Sequence, residues 1–154
     1  MATMKWIAGS GAGLTWTSLD SSSLNSLAST NAILSGTQID NSTSLDMFAD
    51  ISLILASATF VAPAYVGIYL YPLSDDNATY GDGRFGSAAA GPPPSNYAVG
   101  TIGLVAGTQA QTGQLLRIII PPAKFKFVYY NLGGVAWNAS GNTVKYRTYN
   151  QQVA

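Results

Sequence analysis

The chain has 154 residues, enough for one domain with its own core and too few for two ordinary ones. Only 9% of the residues are charged, seven basic against seven acidic, while 47% are hydrophobic. A folded domain usually carries about a quarter charged residues, so this surface is largely neutral and prone to associate, and the scattered Lys and Arg form no basic stripe for a nucleic acid.

Cysteine, histidine and glutamate are all absent. That removes disulfides, zinc sites built on thiolate or imidazole, haem ligation by His, Cys nucleophiles and the Ser-His-Asp triad. Seven Asp, with Lys and Tyr, are the remaining proton-transfer groups, a poor stock for an active site. The expectation is a protein that is no enzyme, carries no cofactor and acts by packing against other subunits.

In chain order, residues 1–43 are rich in Gly, Ser, Thr and Asn, with isolated apolar anchors at Trp6, Ile7, Leu14, Trp16, Leu24 and Leu27. They read as an extended N-terminal arm whose Trp and Leu side chains dock on the main domain or on a neighbouring subunit. Short strands are expected near 32–34 and 38–40. After Lys5 the chain is small and Gly-rich where a secretory signal would need a continuous apolar stretch, so no export processing is expected.

The main β-sandwich domain is placed at 44–154. It opens on a period-two signal in which Leu45, Met47, Ala49, Ile51, Leu53 and Leu55 alternate with Ser44, Asp46, Phe48, Asp50, Ser52 and Ile54. Successive strand side chains point to opposite faces, so the odd set is assigned to the core and most of the even set to solvent or a partner. Residues 51–74 form an uncharged run long enough to span a bilayer. Pro63, Gly67, several hydroxyls and the lack of flanking basic anchors argue instead for strands. In 65–71, Val66, Ile68 and Leu70 oppose Tyr65, Tyr69 and Tyr71, so both faces of that strand should be covered, the aromatic one by a subunit or a loop.

Residues 72–95, with Asp75, Asp76, Asn77, Gly81, Asp82, Gly83 and a triple proline at 92–94, form a long loop of the kind that usually contacts a partner or ligand. Further strands are expected at 97–105, 115–120, 124–130 and 143–149, each bounded by Pro, Gly, Ser or Asn. With no helix pattern and no repeat, the fold class is all-β: an antiparallel β-sandwich of jelly-roll or Greek-key wiring.

Four local features admit sharper readings. The oxygens of Asp75, Asp76, Asn77 and Asp82 could hold calcium, but their spacing is not that of an EF-hand and plain turn chemistry is the favoured reading. Asp75 and Asp76 as a glycosidase pair are disfavoured, since adjacent loop residues hold no fixed separation. Tyr65, Tyr69, Tyr71, Tyr129, Tyr130, Tyr146 and Tyr149 could stack sugars, but tyrosine also dominates protein interfaces. Lys124, Lys126, Lys145 and Arg147 could form one basic face or guard an edge strand. Asn41, Asn77 and Asn138 head Asn-X-Ser/Thr triplets, relevant only to a secreted eukaryotic protein.

Three segments, YLYPLSDDNATYGDG at 69–83, LLRIIIPPAKFKFVYYNLGG at 115–134 and SGNTVKYRTY at 140–149, resemble small virion proteins of tailed bacteriophages, above all head decoration or cement proteins. The likeness covers roughly 45–150 and is one of pattern. It implies a β-sandwich that oligomerises, as a dimer or trimer, on the outer capsid surface and bridges major capsid subunits after synthesis in the host bacterial cytoplasm. Expected partner contacts are Trp6, Trp16, Tyr69, Tyr71, Asp75, Asp76, Asn77 and Tyr80. A tail or baseplate component and a carbohydrate-binding adhesin are the alternatives. No nucleic acid, membrane or metal is expected.

Overall fold

The computed structural model describes residues 4–8, 14–76, 78–80 and 89–153. Among the described residues there are eleven strands: β1 (Met4–Ala8), β2 (Thr17–Asp20), β3 (Asn31–Leu34), β4 (Ile39–Asp40), β5 (Phe48–Leu55), β6 (Ala64–Pro72), β7 (Ala89–Ala90), β8 (Ala98–Leu104), β9 (Gln111–Ile119), β10 (Lys124–Leu132) and β11 (Thr143–Val153). One 3-10 turn, Ser95–Tyr97, precedes β8. Among the described residues no helix is long and apolar enough to cross a membrane.

The strands form two antiparallel sheets. Sheet A runs β1-β11-β5-β9, with β2 also on β11; sheet B runs β7-β3-β10-β6-β8, with β4 also on β10. From β2 onward the chain changes sheet at the connections β2 to β3, β4 to β5, β5 to β6, β8 to β9, β9 to β10 and β10 to β11. With β3 and β4 taken as one interrupted strand, β2-β11-β5-β9 faces β3/β4-β10-β6-β8, which is the wiring of a jelly roll.

The alternation seen in the sequence builds the core between the sheets. Ala49, Ile51, Leu53 and Leu55 of β5 meet Val66, Ile68 and Leu70 of β6 and Phe125, Phe127 and Tyr129 of β10, all buried in one cluster. Apolar area removed from water, at about 25 cal/mol per Å², is what holds two such faces together.

The strand expected from residue 44 begins only at Phe48, and Leu45 and Met47 are more than half exposed. The cause is Asn41. Its buried side chain donates to the carbonyls of Asp46 and Pro121 and accepts from the Asp46 N–H and the Ser44 hydroxyl, all at 2.8 Å. These bonds close 41–46 into a turn, with Leu45 at φ +52°, before the alternation can start.

Residues 1–43, expected as an extended arm that docks its Trp and Leu side chains, pair in their described part as strands with the rest of the chain. β1 and β2 pair with β11, β3 and β4 pair with β10, and Leu19, Leu24 and Leu27 lie in the main core. Of the isolated apolar anchors, Leu24 and Leu27 are buried, while Trp6, Ile7 and Leu14 stay exposed. The polar chain between them is fixed by Asp20, which accepts the N–H groups of Ser22, Ser23 and Gly36.

On the aromatic face of β6, Tyr71 is covered by the chain's own loop, Tyr69 is half-buried and Tyr65 stays exposed. After Pro72 the chain reaches β7, pairs there with β3, and returns so that Tyr97 packs on Tyr71 at 4.5 Å between ring centroids. Tyr71, Tyr130, Val128 and Ala32 thereby form a second buried cluster on the outer side of sheet B.

Candidate functional site

The outer face of sheet A carries a different chemistry. Phe48 and Asp50 point away from the core, and their cross-strand neighbours on β11 are Tyr149 and Arg147. On the other side of β5 the β9 register slips between Ala49 and Ile51, so Leu116 and Arg117 together oppose Asp50. This is a β-bulge, an extra residue that bends the strand and re-aims a side chain. Its mark is Arg117 at φ +59°, a left-handed conformation costly for a non-glycine residue.

Asp50 is 3% exposed and fully satisfied. Its Oδ1 accepts the Arg117 backbone N–H at 2.8 Å and the Tyr149 hydroxyl at 2.9 Å; its Oδ2 accepts Arg147 Nε at 2.9 Å and Nη2 at 2.8 Å. A buried carboxylate is tolerated when every lone pair has such a donor. Burial, then the bond to Asp50, then the charge of Asp50 push the Tyr149 hydroxyl up to about 12.

Around this ion pair stand the rings. Trp6 meets Tyr149 edge-on at 5.2 Å and Phe48 at 6.1 Å, and Phe48 stacks on Tyr149 at 5.7 Å. The Arg117 guanidinium lies 5.5 Å from the Trp6 centroid and 6.0 Å from that of Phe48, while Arg147 lies 4.7 Å from that of Trp16. A cleft of about 260 Å³ opens between Trp6, Leu14, Leu116, Arg117, Arg147 and Tyr149. Trp6 is 46% exposed, Leu116 52% and Ile119 77%, which makes the face apolar with one guanidinium at its surface.

The eight expected contact residues do not share one surface. Trp6 and Trp16 come together here. Tyr69 and Tyr80 are half-buried on the sheet B side, where Tyr80 hydrogen-bonds the Gln38 side chain and Lys126 lies 5.2 Å from its ring. Tyr71 is corrected: sealed under the loop, it presents no surface to a partner. Asp75 and Asp76 are exposed, and Asn77, with Asp82, lies outside the described residues. Asp76 closes a turn by accepting the N–H groups of Thr79 and Ala78 and the Thr79 hydroxyl, bonds that hold its carboxyl below the ordinary value.

The seven tyrosines also scatter: Tyr129 is in the main core and Tyr146 packs against it, while Tyr149 stands on the outer side of sheet A. Lys124 and Lys126 belong to sheet B and Lys145 and Arg147 to sheet A, so they make no single basic face. Phe48, Asp50 and Arg117 were not expected as site residues. Their signal was present: an Asp in FADISLIL and an Arg in LLRIII are charges inside apolar strands, which need partners.

No protein-family model matches the chain, and no curated protein matches it significantly. Among solved structures, it is similar to the N-terminal cellulose-binding domain of β-1,4-glucanase C from Cellulomonas fimi, at 13% identity over 97% of this chain and 88% of that one, with a TM-score of 0.29. A likeness at that level carries no argument about function.

Proposed function

We propose that this protein is a non-enzymatic structural subunit of a bacteriophage virion, a capsid decoration protein that seats the outer face of sheet A against the major capsid protein on the outside of the shell. The observation that carries this reading is the exposed group of Trp6, Leu14, Leu116 and Ile119 on a chain with few charges. Exposed apolar side chains gathered on one face gain free energy when a partner covers them. A standard interface of roughly 1,600 Å² gives micromolar to picomolar affinity, depending on a few aromatic or Arg anchors. As a dimer or trimer the subunit adds avidity across neighbouring capsid subunits.

The test is a mass-spectrometric inventory of purified particles, followed by cryo-EM of the native shell. A ratio near that of the major capsid protein is expected. A few copies per particle would instead identify a tail or baseplate component, and absence from every particle would end the virion reading. A carbohydrate-binding adhesin is the weaker alternative. Sugar recognition needs several uncommitted hydrogen-bonding groups beside the rings, whereas the Asp50 carboxylate, the Tyr149 hydroxyl and the Arg147 Nε and Nη2 donors already bond one another, which leaves the Arg117 guanidinium alone beside Trp6 and Phe48.

A further inference from the structure

The sheet A cleft holds two guanidinium groups and one carboxylate. Four donors saturate the carboxylate, and Arg147 is consumed in holding it. Arg117 contributes only its backbone N–H to Asp50. Its exposed side chain lies across Trp6 and Phe48, and no ion pair engages it among the described residues. The site thus carries one uncompensated positive charge, aimed by a bulge and braced by two rings, between Leu116 on one side and Trp6 on the other.

We propose that Arg117 receives a carboxylate of the partner protein: an Asp or Glu side chain flanked by apolar residues that cover Leu14, Leu116 and Ile119. This rests on the reading of the sheet A face as the docking face and names the chemistry of its partner. A planar guanidinium binds a carboxylate through two parallel hydrogen bonds, and its contacts with the Trp6 and Phe48 rings hold the side chain near the cleft beforehand, so less side-chain freedom is lost on docking. The aliphatic flanks suit protein side chains better than the hydroxyl-rich surface of a glycan.

Two measurements test it. In the first, the isotopically labelled protein is titrated with propionate and, separately, with propionamide, its uncharged counterpart. Saturable shifts of the Arg117 and Trp6 side-chain resonances are expected with propionate alone, and none in Arg117→Gly; equal shifts with both compounds, or with neither, would overturn the carboxylate site. In the second, the protein is added to capsids lacking it. Arg117→Gly should weaken binding about 30-fold and Arg117→Lys by less. Unchanged affinity in both variants would overturn the proposal, as would preference for an acidic polysaccharide such as polygalacturonate over capsids. Failure of the wild-type protein to bind any capsid would sink the virion reading instead, and the propionate titration then decides the carboxylate site by itself.

Discussion

Asp50 on β5 and Arg147 on β11 are direct cross-strand neighbours, joined by two donors of one guanidinium on a single carboxylate oxygen. The pair organises the outer face of sheet A. Asp50 reaches across to the β9 bulge through the Arg117 N–H and down β11 to Tyr149, so one buried carboxylate ties three strands together.

Substituting Asp50→Asn keeps the shape and removes the charge. The amide offers one acceptor oxygen to four donors and turns an N–H₂ group toward Arg147 or Tyr149. A loss of about 3 kcal/mol is expected, measured by urea unfolding, the lower end of what breaking a buried pair costs because Arg147 keeps some contact with water. Tyr149 should at the same time titrate below its wild-type value of about 12, since two of the causes that raise it come from Asp50. Carbon-13 NMR of labelled tyrosine reads that shift directly.

Tyr129 provides a second pH-dependent effect. It is fully buried, its hydroxyl has no hydrogen-bond partner among the described residues, and burial followed by the charge of Asp20 raises it well above the ordinary value. A tyrosine whose folded pKa is raised favours the neutral form, so its contribution is fully present below about pH 10, the unfolded value, and is lost as pH climbs toward the folded one. Wild-type stability should therefore fall above about pH 10, with Tyr149 adding to the loss up to about pH 12. Tyr129→Phe removes an unsatisfied hydroxyl, so it should unfold at equal or higher urea concentration at pH 7, gaining up to about 1 kcal/mol, and should lose less stability at alkaline pH. A destabilised Tyr129→Phe at pH 7 would mean that the hydroxyl has a partner.

Leu24 separates an integral segment from a docking arm. It is fully buried in the main core, within a stretch whose sequence reads as an extended arm with isolated apolar anchors. Leu24→Ala should cost about 2–5 kcal/mol in urea unfolding, as for any core leucine whose cavity cannot collapse. A cost below about 0.5 kcal/mol, the usual range for surface substitutions, would restore the arm.

How much was legible follows from this contrast. Strands β5, β6, β9, β10 and β11 alternate over many residues, and their positions were readable to within a few residues because period two needs only local information. Of the N-terminal strands, β3 and β4 were expected near 32–34 and 38–40, whereas β1 and β2 were not, and the core places of Leu19, Leu24 and Leu27 were hidden because these residues are spaced by polar ones and fill holes made by distant strands. Asn41 shows the same limit: it heads an Asn-Ser-Thr triplet, yet its side chain is spent on Asp46 and on Pro121, 80 residues away. Of the site, Trp6 and Trp16 were readable as apolar anchors and contact residues. Asp50 and Arg117 were visible as charges within apolar runs, but the register slip that brings them together is a property of the paired strands.

Arg117 tests that slip. At φ +59° any residue with a Cβ is strained, and a β-branched one most of all. Arg117→Gly removes the strain, about 1 kcal/mol, and removes the contact with Trp6, worth a similar amount at an exposed site. The backbone N–H to Asp50 survives the substitution. Stability should stay within about 1 kcal/mol of wild type, which makes this variant a clean probe of the guanidinium. Arg117→Val keeps the same N–H but forces a β-branched side chain into the left-handed region, and should cost about 2 kcal/mol more than Gly by urea unfolding. If Val were tolerated as well as Gly, the bulge would not hold residue 117 in this conformation, and the aim of the guanidinium over Trp6 would lose its cause.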